Sequence, residues 1–140
     1  MSHLARRLIS DCIFCKIIRG AYKLIESEFS FSFLDIGPIA KGHALVIPKY
    51  HGEKLHDVPD THLADSMSIA KKIAVASGFE NYNILQNNGK IAHQIVPHVH
   101  FHVIPKPEDS DKSGLVIGWP TQKIEKEDLQ AYYESLKGKL

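Results

Sequence analysis

The chain has 140 residues, 44% of them hydrophobic and 24% charged, enough for one globular domain with a core that needs no disulfide staples. Seventeen basic residues against sixteen acidic leave a formal charge of +1, with no basic patch of the kind a nucleic-acid binder carries. No apolar run reaches the ~20 residues of a membrane span or forms a signal-peptide core, so the chain reads as soluble and unexported.

The elements follow in chain order. FSFSFL, 29–34, alternates with period two, which predicts a half-buried strand with Phe29, Phe31 and Phe33 on one face and Ser30, Ser32 and Leu34 on the other. HALVIP, 43–48, and NYNILQN, 81–87, are short, turn-bounded and apolar or β-rich, and read as two more strands. Between them Leu63, Met67, Ala70, Ile73 and Ala74 recur at three- and four-residue spacing, opened by Pro59, Asp60 and Thr61 and closed by Gly78. That pattern predicts a helix over 61–77. PHVHFHVIP, 97–105, alternates most strictly of all. A final helix is expected over 125–137, with Leu129, Tyr132, Tyr133 and Leu136 on one side, packed from outside. Closely spaced strands with one crossing helix favour an α+β class, an antiparallel sheet covered on one face.

On a strand, residues i, i+2 and i+4 share a face at ~6.6 to 7 Å intervals, so His98, His100 and His102 would line one surface while Val99, Phe101 and Val103 enter the core. Imidazole serves as nucleophile, as proton carrier near neutral pH, or as metal ligand, and the spacing alone does not choose. Cys12 and Cys15 are a poor disulfide framework and suggest reduced thiols in an intracellular compartment. Alone they are half a tetrahedral metal site, and the same spacing also serves redox enzymes. His3, His56 and His62 are assigned to solvated surface.

His98-Val99-His100-Phe101-His102-Val103-Ile104 resembles the signature of the histidine triad superfamily. IFCKIIRG (13–20), FLDIGP (33–38), GHALVIPKYH (42–51) and NNGKIAHQ (88–94 and the residue before) stand in the family's order. The resemblance spans 12–105 and is closest to the Hint branch of purine-nucleoside phosphoramidases, particularly the fungal adenosine 5′-monophosphoramidases. It implies one domain over 1–140, a sheet of about five strands with one main helix, and sheets joined across a homodimer with two nucleotide sites. The implied reaction is hydrolysis of the P–N bond of adenosine or other purine nucleoside 5′-phosphoramidates, giving AMP and an amine. By the same resemblance His100 is the nucleophile, His98 and His102 flank it, and His43 supports the triad. Holding His100 in the right tautomer then requires an acceptor for its other nitrogen, a main-chain carbonyl.

The resemblance further assigns nucleotide contacts to Asp35, Ile36, Asn87, Gln94 and Ile95, with Phe14 and Ile17 flanking the base. Asp35 would accept from both ribose hydroxyls; its alternative is a cap on the turn before Gly37-Pro38. Ile95 departs from the pattern, since this branch usually carries a small hydroxyl residue there that helps to protonate the leaving group. His93 or water would take that part, or the leaving-group preference differs. Where both cysteines occur in the superfamily, a histidine matching His51 and the first triad histidine close a structural zinc site, giving Cys12, Cys15, His51 and His98; the chemistry itself needs no cofactor. The resemblance implies a purine nucleotide ligand, a cytoplasmic location with the nucleus as a second compartment, and a C-terminus, Trp119 included, that shapes the partner's site. Two alternatives stand beside it: hydrolysis of dinucleoside polyphosphates, and a nucleotide-binding interaction module. Nucleotidyl transfer is disfavoured by His102, where the transferases carry glutamine.

Overall fold

The computed structural model describes residues 22–140. Five strands, β1 (Lys23–Glu26), β2 (Ser30–Leu34), β3 (Ala44–Pro48), β4 (Tyr82–Leu85) and β5 (Phe101–Pro105), form one antiparallel sheet in the order β1-β2-β3-β5-β4. Helix α1 (Asp60–Ser77) crosses one face of the sheet, and α2 (Lys126–Lys137) follows near the C-terminus. The α+β antiparallel architecture is therefore the one expected. Strand β1 was not legible as a strand: it is four residues long, at the sheet edge, with a register irregularity against β2. No helix among the described residues is long and apolar enough to cross a membrane.

β3 is buried along its whole length because β2 and β5 flank it and α1 covers it. Its Leu-Val-Ile run suits a pleated position with no solvent face. The core between sheet and helix holds Ala44 and Val46 of β3, Phe101 and Val103 of β5, Val99, Val58, and Ile69, Ala70, Ile73 and Ala74 of α1. α1 begins after Pro59, whose φ of −59° suits a helix entry, and ends at Gly78, which takes the left-handed conformation at φ 73°.

The buried stripe of α1 is His62, Ser66, Ile69, Ala70, Ile73 and Ala74. Met67, expected inside, is exposed, and His62, expected in solvent, is 2% exposed between the rings of Phe29 and Tyr50. Apolar periodicity alone misplaced the stripe because two of its positions are polar and paired: Ser66 Oγ lies 2.8 Å from Ser30 Oγ of β2. The same pair explains β2, which is not half-buried. Ser30, Phe31 and Ser32 are all buried, the serines through hydrogen bonds rather than solvent. Helix α2 forms one residue later than expected, and Leu129, Tyr132, Tyr133 and Leu136 stand exposed instead of packing on this chain.

Candidate active site

The strand expected over 97–105 pairs only from Phe101 onward, so His98 and His100 precede β5 in an irregular lead-in and His102 lies within it. Val99, Phe101 and Val103 do face the core. His102 consequently points to the opposite side of the sheet, level with Leu45 of β3 and Leu85 of β4.

Backbone carbonyls settle the ring tautomers. His98 donates from Nε2 to Pro48 O at 2.7 Å, at the end of β3, so Nδ1 of its neutral ring carries the lone pair. His100 donates from Nδ1 to His98 O at 2.7 Å, which puts the lone pair on Nε2. The expected main-chain acceptor is thus supplied two residues back in the row itself. The peptide between the two rings is pinned as well, since Val99 N–H donates to Gly52 O at 2.8 Å.

A second chain of hydrogen bonds ends at His102. Ile39 N–H donates to His43 Nδ1 at 3.3 Å, so a neutral His43 carries its proton on Nε2 and donates it to His102 Nδ1 at 3.0 Å. His102 must then hold its own proton on Nε2. Asp35 Oδ2 lies 3.7 Å from His43 Nε2, while Asp35 Oδ1 accepts from Gly37 N–H at 2.8 Å. Asp35 therefore does cap the turn, with one oxygen, and keeps the other beside His43. The ligating atoms of Asp35, His43 and His102 lie within 4.8 Å of one another, close enough in principle for a cation. The ring of His43 presents an N–H rather than a lone pair to that space, which suits proton relay better than metal ligation.

Burial governs the proton affinities. Desolvation holds His98 and His102 down at about 4, with neighbouring imidazoles adding to it. Desolvation also lowers His43 and His100, opposed at each by the Asp35 carboxylate and, at His100, more strongly by the carbonyl of His98. All four rings are neutral near pH 7, as a nitrogen nucleophile requires.

The His51 and His98 rings meet edge to face, with their Nδ1 atoms 3.1 Å apart. Among the other expected contacts, Ile36 and Ile95 are exposed and His93 stands at the surface with φ 69°. The amide of Asn87 serves its own loop, and that of Gln94 ties the loop to the segment after β3. Asn87 Nδ2 donates to Ala92 O, and Gln94 bridges Gly89 N–H and Glu53 O. Cys12, Phe14, Cys15 and Ile17 lie outside the described residues. The residues that sequence reasoning missed act through their backbones: Pro48, Gly52 and Ile39 orient the histidines, and no side-chain pattern could have disclosed them.

Comparison with known proteins agrees with this geometry. A family model described as HIT domain matches residues 20–109. The chain is 57% identical over 136 residues to adenosine 5′-monophosphoramidase HNT1 of Saccharomyces cerevisiae, covering 95% of this chain and 85% of that one. It is 52% identical over 133 residues to adenosine 5′-monophosphoramidase hnt1 of Schizosaccharomyces pombe, covering 93% and 98%. The crystal structure of a histidine triad nucleotide-binding protein from Candida albicans superposes with a TM-score of 0.85 at 47% identity, over 92% of this chain and 96% of that chain. The chain belongs to the HIT domain family.

Proposed function

We propose that this protein hydrolyses the P–N bond of purine nucleoside 5′-phosphoramidates, releasing an AMP-type nucleotide and an amine. The observation that carries the reading is the hydrogen bond from His100 Nδ1 to His98 O, which leaves a neutral imidazole with its lone pair on Nε2. That nitrogen attacks the α-phosphorus and forms a nucleotidyl-histidine. The positive charge that then grows on the ring is stabilised by the carbonyl on Nδ1. Ile39, His43 and His102 form a directional series of donors whose last member, His102 Nε2–H, faces the phosphate oxygens where negative charge develops. Asp35, beside His43, is available to the ribose hydroxyls through its second oxygen. The names of the yeast relatives support the same reaction class.

The decisive assay is release of amine from adenosine 5′-phosphoramidates by the parent and by His100→Ala. Substrate trapping should label residue 100 in the parent. Equal rates for the two proteins, or preferred cleavage of a diadenosine polyphosphate, would reject the reading.

The donor set also fits the zinc ion that the two cysteines suggest. Zn–N bonds of ~2.0 to 2.1 Å in a tetrahedron put two ligating nitrogens roughly 3.3 Å apart, and the His51 and His98 nitrogens are 3.1 Å apart. His98 offers a lone pair there because its other nitrogen donates to a carbonyl, the outer bond that ligating histidines typically make. Zinc held by these two and by Cys12 and Cys15 would have no open position and would serve to tie the N-terminal segment to the histidine row. Native mass spectrometry should find one zinc per chain, absent from Cys12→Ser.

A homodimer is supported by apolar side chains that one chain leaves in solvent: Leu129, Tyr132 and Tyr133 of α2, Trp119, and Tyr82 and Ile84 of edge strand β4. Sedimentation equilibrium at twice the monomer mass is the expected result.

A further inference from the structure

The proposed reaction leaves one requirement without a residue. An alkylamine leaves phosphorus only when its nitrogen is protonated, and that proton must come from a group on the leaving side. His100 is buried at the floor of the site. In-line displacement by its Nε2 therefore directs the leaving nitrogen outward to the rim.

A concavity of about 440 Å³ lined by Glu53, Lys90, His93, Gln94, Ile95 and Pro97 adjoins the histidine row through Pro97, the residue before His98. Ile95 has no side-chain proton to give. His93 has one, and its backbone is the more informative feature. Its φ of 69° is left-handed, a conformation that costs a residue with a Cβ about 1–2 kcal/mol and that glycine would adopt freely. The turn around it is tightly fastened: Ala92 N–H donates to Gly89 O, His93 N–H to Lys90 O, Gln94 N–H to Gly89 O and Asn87 Nδ2 to Ala92 O, while Gln94 Oε1 accepts from Gly89 N–H. The fold imposes the conformation, and the chain accepts the cost to place an imidazole there. The ring stands exposed, yet close enough to His102 to act on it electrostatically. Lys90 lines the same concavity, and histidine is the side chain most often used to pass a proton to a reacting group.

We infer that His93 is the general acid of this site, the group that protonates the leaving amine. This rests on the phosphoramidase reading above. In the first step the bond from His100 Nε2 to phosphorus forms as the P–N bond breaks. The electron pair of that bond stays with nitrogen, and the proton moves from the His93 imidazolium to it, so the amine departs neutral. Bulk water reprotonates the exposed ring. A second water then attacks phosphorus, loses its proton to solvent, and returns His100 to the neutral imidazole.

Glycine and asparagine both tolerate the left-handed turn, so His93→Gly and His93→Asn remove the acid without straining the backbone. Each is compared with the parent on two substrates: an adenosine 5′-phosphoramidate with an alkylamine leaving group, and the p-nitrophenyl ester of AMP, whose phenolate departs without a proton. The ratio of amine to ester kcat/KM should fall about a hundredfold in both variants, and free imidazole should restore amine cleavage by His93→Gly. An unaltered ratio overturns the inference, whether both rates hold or both fall together, because a ring that only shapes the loop affects both substrates alike. His100→Ala is run alongside to separate the two claims. If it keeps the parent's rate on both substrates, the nucleophile assignment fails irrespective of the ratio; if it loses both while the ratio stays unaltered, only the role of His93 fails. A parent that splits neither substrate overturns both.

Discussion

Gly52 offers the sharpest test of how the backbone holds the histidine row. The residue is buried, and its carbonyl accepts from Val99 N–H, between His98 and His100. A Cβ at this position would lie 2.6 Å from Val58 Cγ2 and 3.2 Å from both C and Cβ of Asp57. The first approach is closer than real Cβ contacts come, and two of the three obstacles sit on or next to backbone, so Gly52→Ala must move the main chain of the 52–58 connection rather than a flexible tip. Overpacking of that kind costs about 1–3 kcal/mol. Stretching the bond to Val99 adds about 1 kcal/mol more. For a domain of this length the sum, about 2–4 kcal/mol, lowers Tm by roughly 7–14 °C. The chemical effect should exceed the thermal one, because displacing the peptide that carries both rings by about 1 Å misaligns the nucleophile and costs about a hundredfold in kcat. Scanning calorimetry and phosphoramidate turnover read the two effects. Val58→Ala deletes the methyl at 2.6 Å, so the double variant should be destabilised by less than the sum of the singles. A Gly52→Ala protein with the parent's Tm and rate, or additivity with Val58→Ala, would refute the account.

The buried hydroxyl pair predicts strong non-additivity. Ser66→Ala leaves Ser30 without its 2.8 Å partner and should cost about 1–3 kcal/mol in urea unfolding, while Ser30→Ala with Ser66→Ala should restore most of that loss. Lys49, its side chain 6% exposed, pairs with Glu26 at 2.8 Å, and that bond, then Lys23, holds the Glu26 carboxyl below its usual range. Glu26→Gln should cost about 1–2 kcal/mol near neutral pH, where solvent screens part of the pair, with the difference from the parent shrinking as acid protonates Glu26. Histidine burial fixes the direction of a further pH effect. His102 titrates near 6.5 when unfolded and at about 4 when folded, so its contribution is complete above pH 6.5 and is lost as pH falls toward 4, where the unfolded chain binds more protons. Urea midpoints of metal-stripped protein should decline across that window more steeply for the parent than for His102→Gln.

The sequence made the site more legible than the packing. A row of alternating histidines is rare enough to expose chemistry directly, and four of the five strands and both helices follow from period and punctuation. His62 and Ser66 defeated the same reasoning because burial of a polar side chain is decided by its partner. Ser30 lies 36 residues from Ser66 and belongs to another element. Ser32 is a similar case: its hydroxyl accepts from Ile25 N–H and donates to Ile25 O, bridging the register irregularity between β1 and β2. Alternation in FSFSFL was real, but which face met water depended on those bonds. The histidine row also broke from ideal strand geometry at its start, where His98 turns its ring onto the end of β3 instead of pairing along β5.

That departure joins the two halves of the site. Were His98 in a regular ladder, its carbonyl would point to a neighbouring strand. Outside the ladder, its ring reaches Pro48 O, its Nδ1 faces His51, and its carbonyl accepts a hydrogen bond from His100 Nδ1–H. One residue thus holds the nucleophile with its backbone and the 51–98 pair with its side chain. The two functions are coupled: a carbonyl survives any substitution of the ring, but not the anchoring that the ring provides. Whatever fastens the His98 ring sets the position of the carbonyl, and the carbonyl sets which nitrogen of His100 can attack. The orientation of the nucleophile is therefore governed from the end of β3, by main-chain atoms that carry no chemistry of their own.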